Sequence, residues 1–107
     1  MTQRLTYLHQ LLATNPLEPF VLFAVAKEYE KMGDQAQALE YYQQLYRTNP
    51  TYVGLYYHLG KLHEQAGRLE AAVIIYQEGM EIARQAGDTH ARNELAAAKL
   101  NLADDDE

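Results

Sequence analysis

From Pro19 to Met32 the apolar positions are Leu22, Val25, Ala26, Tyr29 and Met32. That i, i+3, i+4, i+7 spacing places them on one face of a helix. Gly33 then supplies a stop, because glycine accepts the left-handed backbone that ends helices. Asp34 is a suitable N-cap for a second helix, with Gln37 three residues on as its capping-box partner. The second helix carries Ala38, Tyr42 and Leu45 on one stripe and ends before Asn49-Pro50. No stretch of six residues alternates apolar with polar, so strands are not expected.

The pattern restarts 34 residues on. Tyr56, Leu59, Gly60 and His63 repeat Leu22, Val25, Ala26 and Tyr29. Gly67 repeats Gly33, Ala72 repeats Ala38, Tyr76 repeats Tyr42, Lys61 repeats Lys27 and Glu64 repeats Glu30. "QLLATNP" (10–16) and "QLYRTNP" (44–50) keep the same offset, so each marks the exit of a second helix in a two-helix unit. Arg84 stands where Pro50 would recur, and the helix from Leu69 therefore runs on to about Ala86. Gly87 and Asp88 end it and cap a last helix, whose inward stripe is Ala91, Leu95, Ala98 and Leu102. Six helices are expected, over about 2–14, 19–32, 35–48, 53–66, 69–86 and 89–103.

Composition narrows the class. With 107 residues, 48% hydrophobic and 22% charged, the chain suits one soluble domain with a modest core. There is no cysteine, which excludes disulfides, thiolate nucleophiles and thiolate metal ligands. No apolar run approaches the ~20 residues that cross a bilayer. The start, "MTQRLTYLHQ", lacks the apolar segment of a signal peptide, so the cytoplasm is the expected location and no membrane partner is expected.

The net charge of −6 is concentrated at one end, where Asp104, Asp105, Asp106 and Glu107 carry −4. The remaining nine basic and eleven acidic side chains nearly balance. No basic footprint for nucleic acid is present. The tail at 104–107 reads as a frayed, solubilising end.

Candidate chemistry is sparse. His9, His58, His63 and His90 share no catalytic spacing, and His58 and His63 are five apart where one helix face wants about four. His63 reads as a polar-tipped replacement for a packed tyrosine. "GLYYHLGKL" has Leu62 where a phosphate loop needs Ser or Thr, and it falls inside a helix. No catalysis, cofactor or metal is expected.

A 34-residue helix-turn-helix period resembles the tetratricopeptide repeat family. The residues that carry the resemblance are Leu22, Val25-Ala26, Tyr29, Ala38, Tyr42 and Pro50, then Tyr56, Leu59-Gly60, His63, Ala72 and Tyr76. His63 and Arg84 depart from the family's usual Tyr and Pro. The resemblance implies an all-α fold of antiparallel helix-turn-helix repeats, stacked as a short right-handed superhelix. The expected organisation is one domain over 1–103: a half repeat at 1–16, repeats at 19–52 and 53–86, and a capping helix at 89–103.

The resemblance also implies a concave groove lined by the first helices of successive repeats, where peptides bind. The residues left over by the core stripe are Phe20, Phe23, Ala24, Lys27, Glu30 and Lys31, then Gly54, Tyr57, His58, Lys61, Glu64 and Gln65. Among them Phe20, Phe23, Lys27, Tyr57, His58 and Lys61 are the candidate partner-binding residues. Lys27 and Lys61 should lie side by side, and lysines flanked by aromatics suit a peptide with a carboxylate and an apolar anchor. The plainer reading is that the lysines pair with Glu30, Glu28, Glu18 or Glu64, and that Phe20 and Phe23 pack on Leu8 and Leu12 of the first helix. Phe23 and Tyr57 stand where the family's carboxylate clamp places Lys, so the pattern does not match that clamp. The expected role is a protein-interaction adaptor of unknown partner. The alternative is a module for self-association, giving a homo-oligomer.

Overall fold

The computed structural model describes residues 2–105, with side chains through residue 102. Among these residues all regular structure is helical: α1 (Gln3–Thr14), α2 (Pro19–Lys31), α3 (Gln35–Thr48), α4 (Gly54–Gln65), α5 (Leu69–Ala86) and α6 (Thr89–Asp105). Every limit falls within a residue or two of the expected one. The backbone of α6 continues through Asp104 and Asp105, so that part of the acidic tail is helical rather than frayed. Asp106 and Glu107 lie outside the described residues. The chain forms two compact units that divide between Tyr52 and Val53, where the second repeat begins.

Within each unit the first helix of the pair ends in the same way. Gly33 and Gly67 both adopt φ +80, a conformation that side-chain-bearing residues rarely take. The following N–H then reaches back across the turn: Asp34 donates to the Tyr29 carbonyl at 3.0 Å, and Arg68 to the His63 carbonyl at 2.8 Å. This is the Schellman closure, which satisfies carbonyls left over at a helix end. Asp34 Oδ1 then accepts the Gln37 N–H at 3.2 Å and caps α3. The reciprocal half of a capping box is not needed there, because the Asp34 N–H is already spent on Tyr29. Asp88 caps α6 through the Ala91 N–H at 3.0 Å. Arg68, at the matching place before α5, provides no side-chain cap.

The repeated Asn-Pro ending also has a structural reading. Asn15 and Asn49 each donate a backbone N–H to the helix behind, to Leu11 and Leu45. Their carbonyls each accept from three residues on, at Glu18 and Tyr52. The same turn is thus built twice.

In the first unit Leu22, Val25 and Ala26 of α2 meet Ala38, Tyr42 and Leu45 of α3, all fully buried. Met32, placed on the same stripe by spacing, is 45% exposed because α2 has already ended. Helix α1 adds Leu5 and Leu8, which pack on Val21, Ala24 and Val25. In the second unit Leu55, Tyr56 and Leu59 of α4 join Ala72 and Tyr76 of α5 in the core. Leu95, Ala98 and Leu102 of α6 are buried as expected, while Ala91 is half-buried.

Two glycines set helix approach in the second unit. A Cβ at Gly60 would land on the Tyr76 ring. One at Gly79 would come within 2.5 Å of Tyr56 Cβ and 2.9 Å of Leu95 Cδ1. Each allows a tyrosine to fill space that a side chain would otherwise occupy.

Candidate interaction surface

The core stripe of α2 leaves Phe20, Phe23 and Lys27 on another face. Phe20 is 65% exposed, the largest apolar side chain that the first unit leaves open to solvent to this degree. Phe23 is half-buried, and its ring centroid lies 5.2 Å from that of Tyr52 and 6.0 Å from that of Tyr42. Neither phenylalanine joins the cluster of Leu5, Leu8 and Leu12 on α1. Instead Ala24 does so, which removes Ala24 from the expected surface. Lys27 extends its ammonium over Phe23, 5.5 Å from the ring centroid. That is within cation–π range.

The second unit repeats this device. Lys61 Nζ lies 5.4 Å from the centroid of Tyr57, the residue equivalent to Phe23. The Tyr57 ring meets His58 edge-on at 5.9 Å. Lys61 also pairs with Glu64 at 3.3 Å, one of the pairings expected from spacing. The others differ. Glu28 is buried and pairs with Arg4 of α1 at 3.3 Å, because α1 covers that side of α2.

Glu30 and Glu64 are not free groove carboxylates. Each accepts a hydroxyl from the second helix of its own pair: Tyr42 Oη donates to Glu30 Oε1 at 2.6 Å, and Tyr76 Oη donates to Glu64. Burial first, and the accepting carboxylate second, push both phenols far above the usual tyrosine range. The 12-residue spacing, repeated at 34, was the available signal for this link. Tyr52 was the residue that periodicity missed, since it lies outside any helix; burial and Glu18 raise its hydroxyl as well.

A family model described as tetratricopeptide repeat matches residues 31–98. The chain belongs to the tetratricopeptide repeat family. The crystal structure of a tetratricopeptide repeat domain protein from Salinibacter ruber is similar, with 41% identity and a TM-score of 0.77. The match covers 79% of this chain and 94% of that one. A protein from Bordetella parapertussis, known from its solution structure, is 24% identical with a TM-score of 0.84, covering 99% and 92%. PcrH, solved in complex with the chaperone binding region of PopD, is 13% identical with a TM-score of 0.87, covering 96% and 78%. The last two likenesses are of fold alone. A search of the curated proteins found no match.

As a tetratricopeptide repeat chain, this one is an all-α helical repeat, as the spacing predicts. Among the described residues no group of three or more His, Cys, Asp or Glu is gathered to hold a metal, and no helix is long and apolar enough to cross a membrane. The surface offers aromatic faces with an ammonium laid over them, which are suited to a partner carrying apolar and acidic groups.

Proposed function

We propose that this tetratricopeptide repeat chain is a non-catalytic, cytoplasmic protein-interaction adaptor. It binds a peptide or partner protein through Phe20, Phe23 and Lys27 of α2 together with Tyr57, His58 and Lys61 of α4. The observation that carries it is the aromatic residue with a lysine laid over it, present in the same register in both units. A core needs no lysine there, and Phe20 beside it leaves a large apolar ring open to solvent. PcrH, a fold relative, was solved holding a segment of PopD, which supports peptide capture as a use of this architecture. The aromatics supply buried area and the lysines orient an acidic group. Nucleic acid is not the proposed partner, because the chain is acidic.

The test is affinity capture from the source cell with four chains: unaltered, Lys27→Glu with Lys61→Glu, Phe20→Ala with Phe23→Ala, and Arg47→Glu on α3. Loss with both double changes and retention with Arg47→Glu supports this surface. The reverse pattern refutes it.

One observation favours the second reading, self-association. An open depression of about 850 Å³ in the second unit is lined by Leu69, Val73, Ile74 and Leu102, with Arg68 and Glu70. Ile74 is 55% exposed. Sedimentation separates the readings: a dimer that Ile74→Asp dissolves favours assembly, and a monomer favours peptide capture.

A further inference from the structure

The two helix pairs share their closing backbone turn but not its side chains. Tyr29, Gly33 and Asp34 close α2, whereas His63, Gly67 and Arg68 close α4. Arg68 returns to the residue its own backbone already holds: its Nε donates to His63 Nδ1 at 3.0 Å. His63 is 9% exposed. A ring nitrogen that accepts carries no proton, and a guanidinium can only donate. The bond therefore requires neutral imidazole with its single proton on Nε2.

We propose that His63 and Arg68 form an acid-released clasp between the end of α4 and the start of α5. At neutral pH the imidazole accepts from Arg68 and the turn is tied twice, once through backbone and once through side chains. When the imidazole takes a second proton, two N–H groups face each other across the former bond and two positive charges meet there. Arg68 is the charged group turned to His63. Glu64, next along α4, is committed to Lys61 and to the Tyr76 hydroxyl of α5, so it brings no free countercharge. Burial first, then the Arg68 charge, lower the imidazole below the usual histidine value of 6.5.

The folded chain binds this proton more weakly than the unfolded chain does. The clasp's stability is present above the unfolded value near 6.5 and is lost as pH falls through the folded one. At the matching turn of the first unit Tyr29 stands where His63 stands, and His9 Nε2 lies 3.1 Å from its Oη.

This clasp does not depend on the proposed partner surface, and its test needs no partner. Nitrogen-15 NMR of the whole chain, titrated from about pH 8 to about pH 5, reads the ring directly. His63 should carry its proton on Nε2 at the upper end and titrate below the usual histidine value. Arg68→Gln should raise its midpoint. In thermal melts over the same range, His63→Tyr, the residue of the first repeat, should lose less stability on acidification than the unaltered chain. A proton on Nδ1 at about pH 8, or a midpoint at or above the usual value that Arg68→Gln leaves unmoved, would overturn the proposal. The titrations of the unaltered chain and Arg68→Gln decide it alone if His63→Tyr does not fold.

Discussion

The pairs α2–α3 and α4–α5 obey one register yet fill it differently. Both keep the tyrosine-to-glutamate link between their helices and the lysine laid over an aromatic ring. Both close on a left-handed glycine. What changes is volume. Leu22 and Leu45, both fully buried, become Tyr56 and Gly79. Ala26 becomes Gly60, against the Tyr76 ring. At 56 and 79 the larger residue on one helix is met by the smaller one across the pair. The capping aspartate is also lost, and Arg68 turns to His63 instead. The repeat thus holds its tyrosine–glutamate links fixed and lets packing trade around them, as expected where total volume matters more than identity.

The largest effect should come from undoing that trade. Gly79→Leu places the first pair's leucine against Tyr56 Cβ, which cannot move without its backbone. Overpacking of this kind costs about 3 kcal/mol or more here, at the upper end of the usual range. Adding Tyr56→Leu should recover about 1 kcal/mol or more of it, as contacting residues couple. Denaturant melts of the two single variants and the double close the cycle. A double no more stable than Gly79→Leu would show that the two positions do not compensate.

A smaller and symmetrical loss is expected at the fixed links. Tyr42→Phe and Tyr76→Phe each remove a hydroxyl that serves a half-buried carboxylate. Each should cost about 1.5 kcal/mol, the lower end for hydrogen bonds to charged groups. Equal costs sharpen the equivalence of the pairs. A loss confined to one breaks it.

The cap tests the asymmetry. Asp34→Ala should destabilise by about 1 kcal/mol, since it frees an N–H at the start of α3. Arg68→Asp should offer a cap to α5 while giving up the His63 bond, so its net effect on melting at neutral pH should be smaller than that of Asp34→Ala and opposite in part. A full loss from Arg68→Asp would mean that the histidine link outweighs a cap.

The fold was readable because its signals are local. Gly33, Gly67, Gly87 and the two Asn-Pro exits punctuate the chain, and the apolar stripes between them need only helical period. The surface was less readable because it depends on neighbours from other helices. Spacing alone left Ala24 on the outside, yet α1 covers it. Spacing offered Glu28 to a lysine, yet Arg4 of α1 takes it. Phe23 turns to Tyr52, a residue outside any helix, which periodicity has no means to place. Phe20 and Lys27, read as facing out, are exposed.

The smallest effects separate the two lysines, which the repeat makes equivalent. Lys27 is exposed and lies over Phe23, so Lys27→Glu should lose a cation–π contact of about 0.5 kcal/mol and set a carboxylate one turn from Glu30, for a few tenths of a kcal/mol more. Lys61 also pairs with Glu64, and that glutamate accepts the Tyr76 hydroxyl. A carboxylate at position 61 would lose the pair and repel Glu64 one turn away, each worth a few tenths of a kcal/mol. Lys61→Glu should therefore cost a few tenths of a kcal/mol more than Lys27→Glu, the share of the lost Glu64 pair. The excess should shrink as salt is added, because the charges involved are only partly buried. Melts of both variants at low and high salt read this directly. If the two lysines cost the same at both, Glu64 does not distinguish them, and a shared loss of partner binding in the double variant reflects the surface alone. If Lys61→Glu costs more at low salt only, binding must be compared under high salt, where both chains are equally folded.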